Sequence, residues 1–373
     1  MKDMESSWYT INNIDQIDSP ALVLYPDRIK ENINLLKSMI DDVARLRPHI
    51  KTNKCMETAK LMISEGIDKF KCATIAEAEM LAMCNAKDVL LAYQPVGPRI
   101  HRLIEVIQTY PATKFSCLTD NIVIAQQIED ACARENVSLA VYIDLDVGMH
   151  RTGIEPGQEA LELYAFCASQ KHIYPAGLHA YDGHFRITDI GERTIECDKA
   201  FEQVEQLRDR IIARNLPTPV IVAGGSPTFP IHARRKEVEC SPGTFIYWDR
   251  QYSTTCPEQA FLPAAVLITR VISLPGETKV CLDLGHKAVA SENEIGKRAF
   301  FLNGSNLKPI GQSEEHLVLE AGPHHGLQVG DVLYALPFHV CPTVALHERS
   351  YIVEDGEVTG EWKHIARDRR ILH

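Results

Sequence analysis

Between about residue 27 and residue 248, short apolar or β-branched runs alternate eight times with amphipathic stretches, and nothing else in the chain restricts its fold so tightly. The runs fall at 45–50, 70–74, 88–93, 114–118, 139–145, 174–180, 219–223 and 244–247. Between them stand segments such as "DRIKENINLLKSMIDDVA", "TIAEAEMLAMCNA", "NIVIAQQIEDACAREN" and "IECDKAFEQVEQLRDRIIARN". Their apolar residues return every three or four positions, the period of an α-helix. Eight strand–helix units in about 220 residues predict a (β/α)8 TIM-type barrel over an open doubly wound sheet.

After residue 256 the rhythm changes. "AAVLITRVISL", "TKVCLDLG", "HLVLEAG", "VGDVLYALP" and "SYIVEDGEVTGEW" read as strands separated by Gly, Pro and acidic turns, with no long helix among them. A chain of 373 residues also exceeds what one core comfortably holds. The expected organisation is therefore a barrel over 27–248 and a β domain over 1–26 and 249–373. The early strand "SPALVLY" (19–25) is compatible with either unit.

Several function classes drop out. Formal net charge is -11 and no lysine or arginine run forms a phosphate-tracking stripe, so no nucleic-acid partner is expected. The polar start "MKDMESSWYTINNIDQ" has no secretory h-region, and no apolar stretch reaches the ~20 residues of a membrane span. The eleven cysteines are scattered without a C-x-x-C pair, which predicts reduced thiols and a cytoplasmic protein. Most of them should be buried small hydrophobes.

A barrel of this kind carries its chemistry at the C-terminal ends of its strands. Those ends offer His49 and Lys51, then Tyr93 and Gln94, Thr119 and Asp120, and the set Asp144, Asp146, His150 and Arg151. His179, Tyr181 and His184 follow, and then "AGGSPT" and "SPGT". In "AGGSPT", Gly224 and Gly225 let backbone approach an anion, while Ser226 offers a hydroxyl and a helix N-cap. A bare Gly-Gly-Ser segment is usually only a turn. After strand 7 of a barrel, however, it stands where phosphate is commonly held. Lys51 lies across the mouth, and Arg47, Lys54 and Arg151 are its cationic neighbours in sequence. Desolvation beside cations lowers a lysine's pKa and suits it to Schiff-base formation with an aldehyde. An amine facing a phosphate site points to pyridoxal 5'-phosphate, although a lysine at a random strand end would simply snorkel into water.

"RPHIKTNK", "ATIAEAEML", "DVGMHRTGI", "GLHAYDGH", "AGGSPT" and "CSPGTFIYWD" occur in an order that resembles the D-threonine aldolase and D-serine dehydratase family. Those are pyridoxal-phosphate enzymes with an alanine-racemase-like barrel and a C-terminal β domain. The resemblance runs from "DSPALVLY" to "HVCPTVALHE". It implies that Lys51 carries the cofactor and that Arg151 contacts its phenolic oxygen. It further implies that Tyr181 lines the pocket and that Gly224, Gly225, Ser226, Gly243 and Tyr247 hold the phosphate end. His49 is expected beside the cofactor, and Lys54 is expected to face solvent. Where the family often has a second histidine in the lysine motif, this chain has Asn53, so no role for that histidine carries over.

"LPFHVCPTVAL" presents His339 and Cys341 two residues apart, on one face if the segment is a strand. Imidazole with thiolate suits Zn²⁺, with Mn²⁺ and Mg²⁺ as other candidates, and two protein ligands leave positions open for water and substrate. The resemblance places a divalent-metal site in this part of the β domain. It also implies a small-molecule D-3-hydroxy amino acid as substrate and a homodimer as the assembly. Two outcomes are open for such a substrate. β-Elimination gives a 2-oxo acid and ammonia, and retro-aldol cleavage gives glycine and an aldehyde. The family's dehydratases tend to carry H-x-C here and its aldolases H-x-D, so Cys341 tilts towards elimination. An amino-acid racemase and a non-catalytic cofactor carrier are the remaining alternatives. Asp283, His286 and Lys287 are expected to be plain surface residues.

Overall fold

The computed structural model describes residues 7–372. Strand β1 (Ala21–Leu24) is followed by β2 (Lys69–Cys72), β3 (Asp88–Leu91), β4 (Lys114–Thr119), β5 (Leu139–Leu145), β6 (Ile173–Ala180), β7 (Val220–Ala223) and β8 (Val238–Cys240). Strands β2 to β8 pair in sequence order, all parallel, with helices between most of them. This seven-stranded parallel sheet is the expected strand–helix barrel architecture.

Two of the eight expected barrel strands are different in kind. Segment 45–50 forms no ladder: 3-10 turns occupy Val43–Arg45 and Ile50–Thr52, and Pro48 has no N–H to give. It still closes the barrel. Single parallel bridges, Leu46 to Cys240 and His49 to Lys71, join it to β8 and β2. The Arg47 N–H donates to the Cys240 carbonyl at 2.8 Å, and the Lys71 N–H to the Pro48 carbonyl at 2.9 Å. The run 244–247 is not a strand either, because Thr244–Ile246 is a 3-10 turn and the eighth strand is Val238–Cys240. Phe245, Ile246 and Tyr247 are all buried, and a continuous buried run looks the same in sequence whether it is a strand or a turn. The true strand was hidden by Glu239, a charged residue turned into the barrel.

Alternation explains what fills the interior. Phe70, Cys72, Val89, Leu91, Val141 and Ile143 pack in the main core, while Leu90, Leu118, Tyr142 and Val222 form a separate small cluster. The bottom of the interior is ionic. Arg47, 1% exposed, donates to Asp88 Oδ1 at 2.6 Å and to Glu239 Oε2 at 2.7 Å, and Lys69 also pairs with Glu239.

The second sheet contains β9 (Ala265–Ser273), β10 (Lys279–Leu282), β11 (Ala299–Phe301), β12 (Lys308–Gln312), β13 (Leu317–Glu320), β14 (Val332–Pro337), β15 (Arg349–Glu354) and β16 (Glu357–Lys363). β1 joins this sheet, antiparallel to β9 and parallel to β15. Asp283 is not a free surface residue. It accepts from Ser19 Oγ, Thr269 Oγ1 and the Arg270 N–H, tying the strands together. Lys287 does lie on the surface, paired with Glu314 and Glu315. No helix among the described residues is long and apolar enough to cross a membrane.

Candidate active site

At the C-terminal mouth of the barrel lies a cavity of ≈ 650 Å³. His49, Lys51, Lys71, Arg151, His179 and Tyr181 are among its walls. Lys51 sits in the 3-10 turn Ile50–Thr52, where its N–H donates to His49 Nδ1 at 3.3 Å. Burial and the nearby Lys71 and Lys51 charges hold His49 well below the usual histidine range, so its ring is neutral. The Arg151 guanidinium lies 5.0 Å from the Tyr181 ring centre, and Lys71 Nζ lies 5.4 Å from it.

Lys54 does not face solvent. It adopts φ 51° and its Nζ pairs with the fully buried Glu77, so its charge is spent holding the turn to the following strand–helix unit. Asn53 is buried as well. Its side chain accepts from the Cys55 N–H at 3.4 Å and its carbonyl accepts from His364 Nδ1 at 3.0 Å. Asparagine therefore serves to anchor the lysine turn from behind.

The glycine loop is built differently from the expectation. Ser226 is not a helix cap, since the helix that follows is the single turn Phe229–His232 with Thr228 at its N-cap position. Ser226 Oγ instead accepts from the Thr244 N–H at 3.1 Å and the Gly243 N–H at 3.4 Å. Gly224 has φ +73°, a conformation that disfavours any side chain. A Cβ at Gly243 would lie 3.0 Å from the His49 carbonyl and 3.3 Å from Thr52 Oγ1, so this loop presses directly on the lysine turn. Tyr247 does not join the loop. Its buried hydroxyl is engaged with Thr58 Oγ1 at 3.0 Å.

Asp182 supports the loop from below. Its carboxylate accepts from Thr228 Oγ1 at 2.7 Å, His232 Nε2 at 2.8 Å and the Gly225 N–H at 3.4 Å. Burial alone would raise its pKa, but these partners outweigh burial and hold it below the ordinary value. Among the described residues Asp182, Cys197 and His232 bring ligand-type atoms close enough to share a cation. Their donors and acceptors already satisfy one another, and burial pushes the Cys197 thiol up, away from the thiolate a metal needs.

His339 and Cys341 come together, but not through strand alternation. His339 stands at the N-cap position of the helix Val340–Leu346, and Cys341 is in its first turn. Each shifts the other's ionisation. Burial would lower the His339 pKa, yet Cys341 and Glu292 raise it to about 9. Burial would raise that of Cys341, yet His339 and the Lys51 charge pull it below the ordinary thiol value. The other ten of the eleven cysteines are buried and unpaired, as expected of small hydrophobes. Cys341 Sγ lies 3.1 Å from Thr52 Oγ1 and thus reaches the turn that carries Lys51.

Sequence reasoning missed several of these groups. Thr52, Asp249 and Glu292 position the histidine–cysteine segment: Asp249 Oδ2 accepts the Val340 N–H at 3.1 Å, and Glu292 pairs with His339 Nδ1. Lys71 was overlooked although "KFKC" alternates charged and apolar residues, a sign that one strand face turns away from the helix layer.

The residues present fit pyridoxal phosphate. A primary amine stands on one wall, and beside it the Gly243 and Thr244 N–H groups converge on a hydroxyl in a loop with no room for side chains.

The chain matches known families over most of its length. Residues 25–251 match the family model described as alanine racemase, N-terminal domain, and residues 264–353 match the putative serine dehydratase domain. The chain belongs to the alanine racemase N-terminal domain family. It is 28% identical to a D-threonine aldolase of Arthrobacter sp. over 94% of this chain and 93% of that protein. It is 25% identical to a D-threo-3-hydroxyaspartate dehydratase of Delftia sp. over 88% of this chain and 92% of that one. The crystal structure of D-threonine aldolase from Filomicrobium marinum superposes with a TM-score of 0.85 at 24% identity, covering 94% and 95% of the two chains. With such relatives the chain is an enzyme, a pyridoxal-phosphate-dependent lyase.

Proposed function

We propose that the chain is a metal-assisted pyridoxal-phosphate lyase that removes water from a D-3-hydroxy amino acid, giving a 2-oxo acid and ammonia. The observation that carries this reading is the 3.1 Å contact between Thr52 Oγ1 and Cys341 Sγ. It brings the turn that carries Lys51 against the segment that carries His339 and Cys341, which supports a reading in which both serve one small substrate.

Lys51 would hold the cofactor's aldehyde carbon, Arg151 its phenolic oxygen, and the N–H groups of Gly243 and Thr244 with Ser226 its phosphate. Bound there, pyridoxal phosphate supplies an electron sink for charge at the substrate's Cα. His339 and Cys341 would hold a divalent cation, zinc by donor type, which supplies Lewis acidity towards a β-hydroxyl oxygen. Lys51 Nζ would be the base for the substrate's Cα proton. Glu292 holds His339 Nδ1, which leaves Nε2 as the ligand atom. Tyr181, with Arg151 over its ring, walls off the side of the cavity next to Gly225.

Retro-aldol cleavage is the second reading, and the likeness to D-threonine aldolase favours it. Cys341 in place of an aspartate supports elimination. Incubating the enzyme with D-serine, D-threonine and both D-3-hydroxyaspartates separates the two. Oxo acid with ammonia supports the first, and glycine with an aldehyde overturns it.

A further inference from the structure

Lys71 is an amine that neither the proposed chemistry nor the loop network uses. It projects from β2 into the barrel, is 2% exposed, and lines the same cavity as Lys51. Its Nζ donates to Ser241 Oγ at 2.6 Å and lies 3.4 Å from His179 Nε2. His179 Nδ1 in turn meets Asp144 Oδ1 at 2.7 Å. A chain of four polar groups, Asp144, His179, Lys71 and Ser241, thus crosses the cavity floor. Ser241 stands two residues before Gly243, so the chain ends beside the proposed phosphate loop.

The covalent structure of the cofactor limits how it would lie over this floor. Its ring nitrogen is opposite the aldehyde-bearing carbon, and the phosphate arm is next to that carbon. With the aldehyde at Lys51 and the phosphate at Gly243 and Ser226, the nitrogen edge would be directed away from Lys51. Three buried carboxylates nearby are committed: Asp144 to His179, Asp182 to His232, Thr228 and Gly225, and Glu77 to Lys54 and the Ala73 N–H. None of them is free to protonate a ring nitrogen.

We propose that Lys71 is the partner of the cofactor's ring nitrogen, donating a hydrogen bond to it from the Ser241 and His179 cradle. This rests on the pyridoxal-phosphate reading above. A nitrogen that accepts from an amine, instead of being protonated by a carboxylate, is a weaker electron sink, which suits a reaction that also has a metal to draw on. The groups facing Lys71 are Arg47, His49 and Lys51 from the closing segment, Asp144 from β5, His179, Tyr181 and Asp182 from or just after β6, and Ser241 after β8. Burial first and then the Lys51 charge push Lys71 down to about 7, so its ammonium and amine forms exchange near neutral pH.

The test is to reconstitute wild-type protein, Lys71→Met and Lys71→Gln with ¹⁵N-labelled pyridoxal phosphate. The ring-nitrogen resonance is then followed against pH, with the cofactor dissociation constant measured alongside. Wild type should show an unprotonated, hydrogen-bonded nitrogen whose shift titrates near neutrality. Lys71→Met should move the resonance and abolish that titration, with affinity lower by about tenfold, the worth of one hydrogen bond from a charged donor. Lys71→Gln should keep a hydrogen-bonded shift that no longer titrates. If Lys71→Met does not fold, Ser241→Ala in the Lys71 background must displace the resonance. Superimposable wild-type and variant titrations would overturn the proposal while leaving the cofactor reading intact. A wild-type protein that binds no cofactor would remove both.

Discussion

Thr52 Oγ1 and Cys341 Sγ are 3.1 Å apart although 289 residues separate them in the chain. This contact joins the lysine turn of the barrel to the histidine–cysteine helix of the second sheet, and the first predictions concern its two sides.

Lys51→Ala should eliminate the visible absorption band that arises when the cofactor is covalently held, and activity with it. Free amine added to the buffer should restore part of the activity. An unchanged spectrum would reject Lys51 as the anchoring amine.

His339→Ala and Cys341→Ala should each lose bound metal and retain the cofactor band. Lyase activity should fall about a hundredfold or more, as losing several kcal/mol of Lewis-acid stabilisation requires. Chelation of the wild-type protein should have the same effect, reversed by zinc. Metal content by elemental analysis beside the absorption spectrum checks both halves.

Arg47→Met should destabilise the protein without touching the cavity wall. Asp88 and Glu239 would each lose a guanidinium in the barrel interior, and breaking a buried pair in this way costs about 3–5 kcal/mol. Denaturant unfolding would show it. A midpoint equal to wild type would mean that the ionic floor contributes little.

Lys71 makes a pH-dependent prediction for the cofactor-free protein. Its folded pKa is lowered to about 7 from 10.5, so between those values the unfolded chain binds a proton that the folded chain does not. Stability should therefore rise with pH across that window, and the full cost of burying the ammonium applies below it. Lys71→Met should raise the melting temperature most near pH 6, with the gain shrinking as pH approaches 10. A gain that grows with pH would contradict the sign.

Much of the fold was legible because parallel strands buried on both faces and amphipathic helices leave different periods in the sequence. Where that signal failed, the cause is local. Residues 45–50 contain the apolar alternation of a strand, but Pro48 and two flanking turns reduce its pairing to single bridges. Glu239 made β8 look like a loop, since its carboxylate is tolerable there only because Arg47 and Lys69 reach it from other strands. Cys341 was readable as a candidate ligand through its spacing from His339, whereas the geometry behind that pairing is a helix start and not a strand.

The sequence alone determined the barrel with its appended β domain, the lysine turn, the glycine loop and the histidine–cysteine pair, because each is written in contiguous residues. Only the tertiary structure decided which charges are spent and which remain. Lys54 is consumed by Glu77, Asp182 by the loop it supports, and Tyr247 by Thr58, while Lys71 is carried to the cavity floor. Those assignments depend on partners brought together by strand register, and a buried charge is defined by what stands within a few ångströms of it.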